Sequence, residues 1–144
     1  MFSNNKEQQE ANYKSTMNEN STIMRAAIVD DEKDLCYLLK NILKKEAVDA
    51  VEINSLEEAK TELEGIHPRV IFLDNHLPDG TGIEFIPHIK KKLPDAKVIM
   101  MTAFNAAGEE NLAMANGADY FLMKPLSRKI IQDTLSKIGL RVNH

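Results

Sequence analysis

The chain is expected to fold as a single doubly wound α/β domain, a parallel sheet in which each of five strands is followed by a helix. Three observations predict it. Short apolar runs rich in Val, Ile and Phe alternate with longer stretches whose apolar residues recur three or four apart. The short runs are nearly continuous in hydrophobicity, as in strands covered on both faces. A length of 144 residues, with 43% hydrophobic and 28% charged content, suits one globular domain with a sizeable core.

Residues 1–22 come before the pattern. They are rich in Asn, Glu, Gln, Ser and Lys. Such a segment buries too little apolar surface to offset its ordering entropy, so it is read as a flexible or loosely docked N-terminal extension. The domain is placed at 23–144. Its first strand runs from Ile23 to Val29 and ends in Asp30-Asp31-Glu32. Leu35, Leu38, Leu39, Ile42 and Leu43 then recur at helical spacing, which predicts a helix from about Glu32 to Glu46. Val48 to Ile53 is the second strand. Ser55 and Glu58 form a capping box for a second helix, expected to stop at Gly65.

Val70-Ile71-Phe72-Leu73 is the third strand, and it runs directly into Asp74. The turn-rich stretch Asn75-His76-Leu77-Pro78-Asp79-Gly80-Thr81-Gly82 follows. Ile83, Phe85, Ile86 and Ile89 mark a third helix, with Pro87 near its first turn and Leu93-Pro94-Asp95 at its end. Val98 to Met101 is the fourth strand and ends in Thr102-Ala103. Ala106 to Asn116 is a weak fourth helix closed by Gly117. Asp119 to Met123 is the fifth strand, ending in Lys124-Pro125. Ser127 caps a fifth helix with the stripe Ile130, Ile131, Leu135 and Ile138.

Several function classes are disfavoured. A net charge of −4 gives no general pull toward nucleic acid or anionic membrane. The single cysteine, Cys36, allows neither an internal disulfide framework nor a cysteine-built zinc site. No stretch approaches the apolar length of a membrane span and no signal peptide is visible, so a cytoplasmic location is the simplest expectation. Strand one leads into three acids rather than a glycine fingerprint, which argues against a dinucleotide-binding domain.

Right-handed crossovers leave few topologies, of which strand order 2-1-3-4-5 is expected. All C-terminal strand ends then lie on one edge. Asp74 stands centrally, with Asp30-Asp31 on one side and Thr102 on the other, and Lys124 comes from one strand further. Alone, Asp74 reads equally well as a loop cap; its neighbours change that. Three carboxylates at about 5 Å and an effective dielectric of ~20 repel by roughly 3 kcal/mol per pair. The Lys124 ammonium and a bound Mg²⁺ or Mn²⁺ are the two agents that would relieve this. A carboxylate so neighboured stays ionised and can attack phosphorus, with Thr102 as a hydrogen-bond donor to the transferred group.

The motifs Ile28-Val29-Asp30-Asp31-Glu32, Phe72-Leu73-Asp74, Leu77-Pro78-Asp79-Gly80-Thr81-Gly82, Met101-Thr102-Ala103 and Gly117-Ala118-Asp119-Tyr120-Phe121-Leu122-Met123-Lys124-Pro125 carry a resemblance that extends over essentially Met24 to Leu140. The chain resembles a response-regulator receiver domain of two-component signalling, of the stand-alone chemotaxis kind. The wording around Asn75 to Gly80 and Val98 to Ala103 is similar to receivers of enhancer-binding activators. The resemblance implies a flavodoxin-like (βα)5 fold with Asp74 as phospho-acceptor. It implies Mg²⁺ held by Asp30, Asp31, Asp74 and the backbone carbonyl of His76. Thr102 and Lys124 would contact the phosphoryl group, Thr102 and Phe121 would act as switch residues, and Lys124–Pro125 would be a cis peptide. The phosphodonor would be a histidine kinase or histidine phosphotransfer protein. The domain would catalyse its own phosphorylation and a slow dephosphorylation, without turnover of a separate substrate.

The output implied is protein contact through helix four, strand five and helix five, with a phosphorylation-dependent dimer as one form and no direct nucleic-acid binding. Phe104, two residues after Thr102, is expected to shield the acyl phosphate from water. Two alternatives stay open: a receiver excised from a longer transcriptional regulator, and a phosphatase of the haloacid-dehalogenase type. The latter needs an acid two residues after the nucleophile, where this chain has His76.

Overall fold

The computed structural model describes residues 24–103 and 108–140. The N-terminal extension 1–22 and Phe104 therefore lie outside the described residues. The five strands are β1 (Met24–Val29), β2 (Val48–Ile53), β3 (Val70–Asp74), β4 (Lys97–Thr102) and β5 (Tyr120–Met123). The helices are α1 (Lys33–Lys45), α2 (Leu56–Ile66), α3 (Gly82–Lys92), α4 (Glu109–Ala115) and α5 (Arg128–Lys137). The strands form one parallel sheet in the order β2-β1-β3-β4-β5, the flavodoxin-like arrangement anticipated from the strand runs. A small hairpin, His76–Leu77 against Gly80–Thr81, interrupts the loop after β3, where the sequence reads only as turn-rich.

The continuous apolar strands are explained by two cores, one on each face. Successive residues of a strand point to opposite faces. Val70 and Phe72 thus join Ala26, Ile28, Ile99 and Met101 beneath α1 and α5. Ile71 and Leu73 join Ala27, Val29, Val98 and Met100 beneath α2, α3 and α4. Every residue of β3 is buried, which makes it the hub of the sheet.

The helix ends follow local chemistry, with two differences from expectation. Ser55 accepts from the Glu58 N–H as the predicted N-cap, while Glu58 Oε1 accepts from the Asn54 N–H at 2.9 Å, one residue before the N-cap whose N–H a capping box would use. However, α2 runs past Gly65 and ends at His67, which takes the left-handed conformation at φ 55°. Ile66 packs against the core and carries the helix through a glycine that would cost about 1 kcal/mol relative to alanine. Asp79 reaches over from the hairpin loop and accepts from the Leu56 and Glu57 N–H groups at 3.0 and 2.9 Å. These bonds hold the exposed Asp79 carboxyl below its usual range. In α3, Thr81 is the N-cap, so Pro87 falls in the second turn. The described part of α4 begins at Glu109, and Ala106 and Ala107 lie outside the described residues. Gly117 follows α4 at φ 113°, a conformation that favours glycine.

Candidate functional site

The carboxyl edge of the sheet collects the acids that end β1 and β3. Asp30 follows β1 and is fully buried. Its Oδ1 accepts from the Glu32 N–H at 2.8 Å, and its Oδ2 accepts from Lys124 Nζ at 2.9 Å. Its backbone carbonyl accepts from Asn54 Nδ2 at 3.0 Å and from the Cys36 thiol at 3.4 Å. The residue is therefore fixed through both its side chain and its backbone. Cys36 serves here as a packed weak donor, and burial first, then the charges of Glu52 and Asp30, push its thiol up to about 12.

Asp74 ends β3 and is 4% exposed. Its Oδ1 lies 3.3 Å from Lys124 Nζ. Asp30, Asp31 and Asp74 each offer a carboxylate oxygen within 4.8 Å of the others, with Asp31 on the exposed side. Lys124 also pairs with Glu32 at 2.5 Å, a partner that sequence reasoning quoted without giving it a role. The ammonium thus serves three carboxylates, two of them buried.

The electrostatics match this crowding. Burial pushes the Asp74 carboxyl up to about 6, the Asp30 charge adds to the rise, and Lys124 opposes it. Asp30 is also raised, by burial above all, against the hydrogen bonds from Glu32 and Lys124. For Lys124, burial works against the charge. Its hydrogen bonds to Glu32 and Asp30 outweigh that penalty and hold it above the usual ammonium range. One cation among these acids leaves excess negative charge at the site. The donor set consists only of oxygens, two of its carboxylates are buried, and the one nearby thiol stays protonated. Such a set fits a hard divalent cation of the Mg²⁺ or Mn²⁺ kind.

The remaining residues of interest surround this centre. Thr102 is fully buried at the end of β4, and its carbonyl accepts from the Lys124 N–H at 2.8 Å. The Lys124–Pro125 peptide is cis. Phe121 lies opposite Met100 in the β4–β5 register and is partly buried against the core beneath α3 and α4. His76 is exposed, and its Nε2 is 3.9 Å from Glu109 Oε2. Gly82 has a site-specific reason to be glycine. A Cβ there would lie 2.2 Å from the Asp74 carbonyl oxygen and 3.0 Å from Leu73 Cγ. The first residue of α3 is thereby pressed onto the backbone of Asp74.

Sequence reasoning missed two residues of this neighbourhood, Asn75 and Glu109. Asn75 Nδ2 donates to Glu109 Oε2 at 3.0 Å, while Asn75 Oδ1 accepts from the Ile83 N–H at 3.0 Å. Only the position of Asn75, directly after a strand-end acid, offered a signal.

Comparison with known proteins agrees with the geometry. The family model of the response regulator receiver domain matches residues 26–136. The chemotaxis protein CheY of Listeria monocytogenes is 31% identical over 116 residues, 80% of this chain and 98% of that protein. The phosphate regulon transcriptional regulatory protein PhoB of Escherichia coli is 29% identical over 121 residues, 83% of this chain and 53% of that protein. The chain thus spans about half the length of PhoB and of similar transcriptional regulators that it matches. The beryllofluoride-activated NtrC4 receiver domain dimer has a TM-score of 0.75 at 33% identity, over 79% of this chain and 94% of that one. A parallel five-stranded domain with an acid cluster and a lysine on its carboxyl edge defines the class, and this chain belongs to the response-regulator receiver domain family. The general function of that family is a phospho-accepting switch in two-component signalling. Among the described residues, no helix is long and apolar enough to cross a membrane.

Proposed function

We propose that Asp74 is the phospho-acceptor of this chain and takes its phosphoryl group from a phosphohistidine of a histidine kinase or phosphotransfer protein. The observation that carries this reading is the placement of Lys124 Nζ, 2.9 Å from Asp30 Oδ2 and 3.3 Å from Asp74 Oδ1, at the strand edge where Asp31 completes the acid cluster. An Asp74 carboxylate oxygen attacks phosphorus, an O–P bond forms, and the P–N bond to the imidazole breaks with its electron pair leaving on nitrogen. Lys124 holds the acceptor and neutralises charge on the transferred group. The Thr102 hydroxyl donates to one phosphoryl oxygen. Asp30, Asp31, Asp74 and the His76 carbonyl would hold Mg²⁺, which when bound supplies further neutralisation of the phosphoryl oxygens.

Output is assigned to α4, β5 and α5, where Leu112, Met114, Met123 and Ile130 expose apolar surface. Thr102 moving toward the phosphoryl group and Phe121 turning inward would remodel that face for a protein partner or a second copy of the chain. To pass from mostly resting to mostly active, phosphorylation must favour the active shape by roughly 5 kcal/mol. A few charge-assisted hydrogen bonds supply that order of energy.

The test is incubation with acetyl phosphate and Mg²⁺ followed by intact mass measurement. The wild type is expected to gain one phosphate and Asp74→Asn none. An unmodified wild type, or an adduct that persists on Asp74→Asn, overturns the assignment.

A further inference from the structure

Asn75 follows the proposed acceptor and is 4% exposed. Each of its polar atoms has a partner. Its N–H donates to the Met101 carbonyl at 3.2 Å, and its carbonyl accepts from the Gly82 N–H at 3.0 Å. Its side-chain oxygen accepts from the Ile83 N–H, and its side-chain nitrogen donates to Glu109. The amide orientation is dictated by these neighbours, an N–H on one side and a carboxylate on the other. Three of the four bonds tie the acceptor loop to β4 and α3. The fourth alone reaches α4, whose described residues include a single buried one, Ala113.

The Glu109 end of that fourth bond is unusual. The side chain is 11% exposed, although it belongs to the first residue of a surface helix. Its Oε2 is taken by Asn75. Its Oε1 is buried and has no hydrogen-bond donor among the described residues. A buried carboxylate oxygen without a donor is a cost, and a helix of this size has cheaper ways to begin.

We infer that the Asn75–Glu109 contact is a resting-state latch, in which Glu109 acts as a positioning residue that holds α4 against the acceptor loop until Asp74 is phosphorylated. This rests on the reading of Asp74 as the acceptor. A phosphoryl group adds negative charge and strong acceptor oxygens one residue from Asn75. Glu109 contributes a further negative charge to the same sparsely solvated edge, and among the described residues its second oxygen has no donor to offset the repulsion. Phosphorylation therefore weakens the latch. Coupling of binding free energies is reciprocal, so releasing the latch strengthens the hold of the site on a phosphoryl group by the same factor. A merely structural tie behaves oppositely: its loss loosens Asn75 and leaves phosphoryl-group affinity unchanged or lower.

The experiment titrates the full chain with beryllofluoride at saturating Mg²⁺ and follows amide chemical shifts. Glu109→Ala is expected to bind the probe about three- to tenfold more tightly than wild type, the factor that accompanies loss of one hydrogen bond. Glu109→Gln keeps an acceptor for Asn75 and removes the charge, and it is expected to fall between the two. Unchanged or weaker binding by Glu109→Ala overturns the latch. Should that variant fail to show a cooperative melt, Glu109→Gln decides alone: tighter binding than wild type supports the latch, and equal or weaker binding overturns it. A wild-type chain that takes no beryllofluoride is a separate outcome, which removes the acceptor reading itself.

Discussion

The units β3–α3 and β4–α4 occupy equivalent places in the fold, yet they are anchored very differently. Helix α3 buries Gly82, Ile83, Phe85, Ile86 and Ile89, its N-cap Thr81 accepts from the Glu84 N–H, and its first residue rests on the Asp74 carbonyl. Among the described residues of α4 only Ala113 is buried, the N-cap Gly108 has no side-chain cap, and Leu112 and Met114 face solvent. Burial and capping are what raise the free energy of local opening. The proposed acceptor Asp74 therefore stands beside a fixed helix, and Thr102 precedes one that a modest force can shift. A switch needs both: a rigid site that performs the transfer and a loosely held element that reports it.

The sharpest way to break this contrast is Gly82→Ala. Helix propensity alone would make the change favourable by about 1 kcal/mol. The 2.2 Å approach to the Asp74 carbonyl says the opposite, because neither backbone segment can withdraw without disturbing the core beneath it. A net loss of about 3 kcal/mol is expected in urea unfolding, together with slower phosphorylation by acetyl phosphate. A stabilised variant would show that α3 is not seated against Asp74.

A smaller effect of opposite sign is expected from Asp74→Asn in metal-free buffer. The folded-state value of about 6, raised by burial and then by Asp30 against the pull of Lys124, lies above the unfolded value near 3.9. The folded chain therefore holds this proton more tightly than the unfolded chain. The stability it confers is complete below about pH 4 and is lost as pH rises through 6. Removing the titrating group should thus stabilise the chain by an amount that grows between pH 4 and 7, to about 1–2 kcal/mol at pH 7.5. Thermal melts of both proteins with chelator across that range read it directly. A difference that is flat with pH would mean that Asp74 is not strained by its surroundings.

Much of this is legible in the sequence, and the division has a physical basis. Strands buried on both faces announce themselves as unbroken runs such as Val70 to Leu73. Strand-end acids and Lys124 become neighbours once the strand order is known, since the topology of a parallel sheet places them on one edge. What stayed hidden depends on contacts between distant segments. The Asn75–Glu109 bond spans 34 residues and leaves no periodic trace. Asp79 reads as a turn former, yet its carboxylate caps α2 from 22 and 23 residues away. Gly65 carries a stop signal that the packing of Ile66 overrides. In each case local propensity was real and a tertiary contact outweighed it.

The least effect is expected where the contrast is most exposed to test, at Leu112→Ala on α4. Leu112 is 54% exposed, so truncation removes little buried surface and leaves no cavity to collapse. Alanine is also a slightly better helix former, which offsets part of whatever contact is lost. Stability should change by no more than about 0.5 kcal/mol, and phosphorylation by acetyl phosphate should match wild type. The consequence should instead appear in what the phosphorylated chain binds. Exposed apolar area on a weakly anchored helix contributes little to folding and is free to be buried against a partner. Sedimentation of the beryllofluoride-bound protein, wild type against Leu112→Ala, separates the two roles: weaker self-association with unchanged stability places Leu112 on the output face. A loss of stability above about 1 kcal/mol would show instead that α4 is anchored as firmly as α3, and the distinction between the two units would fall.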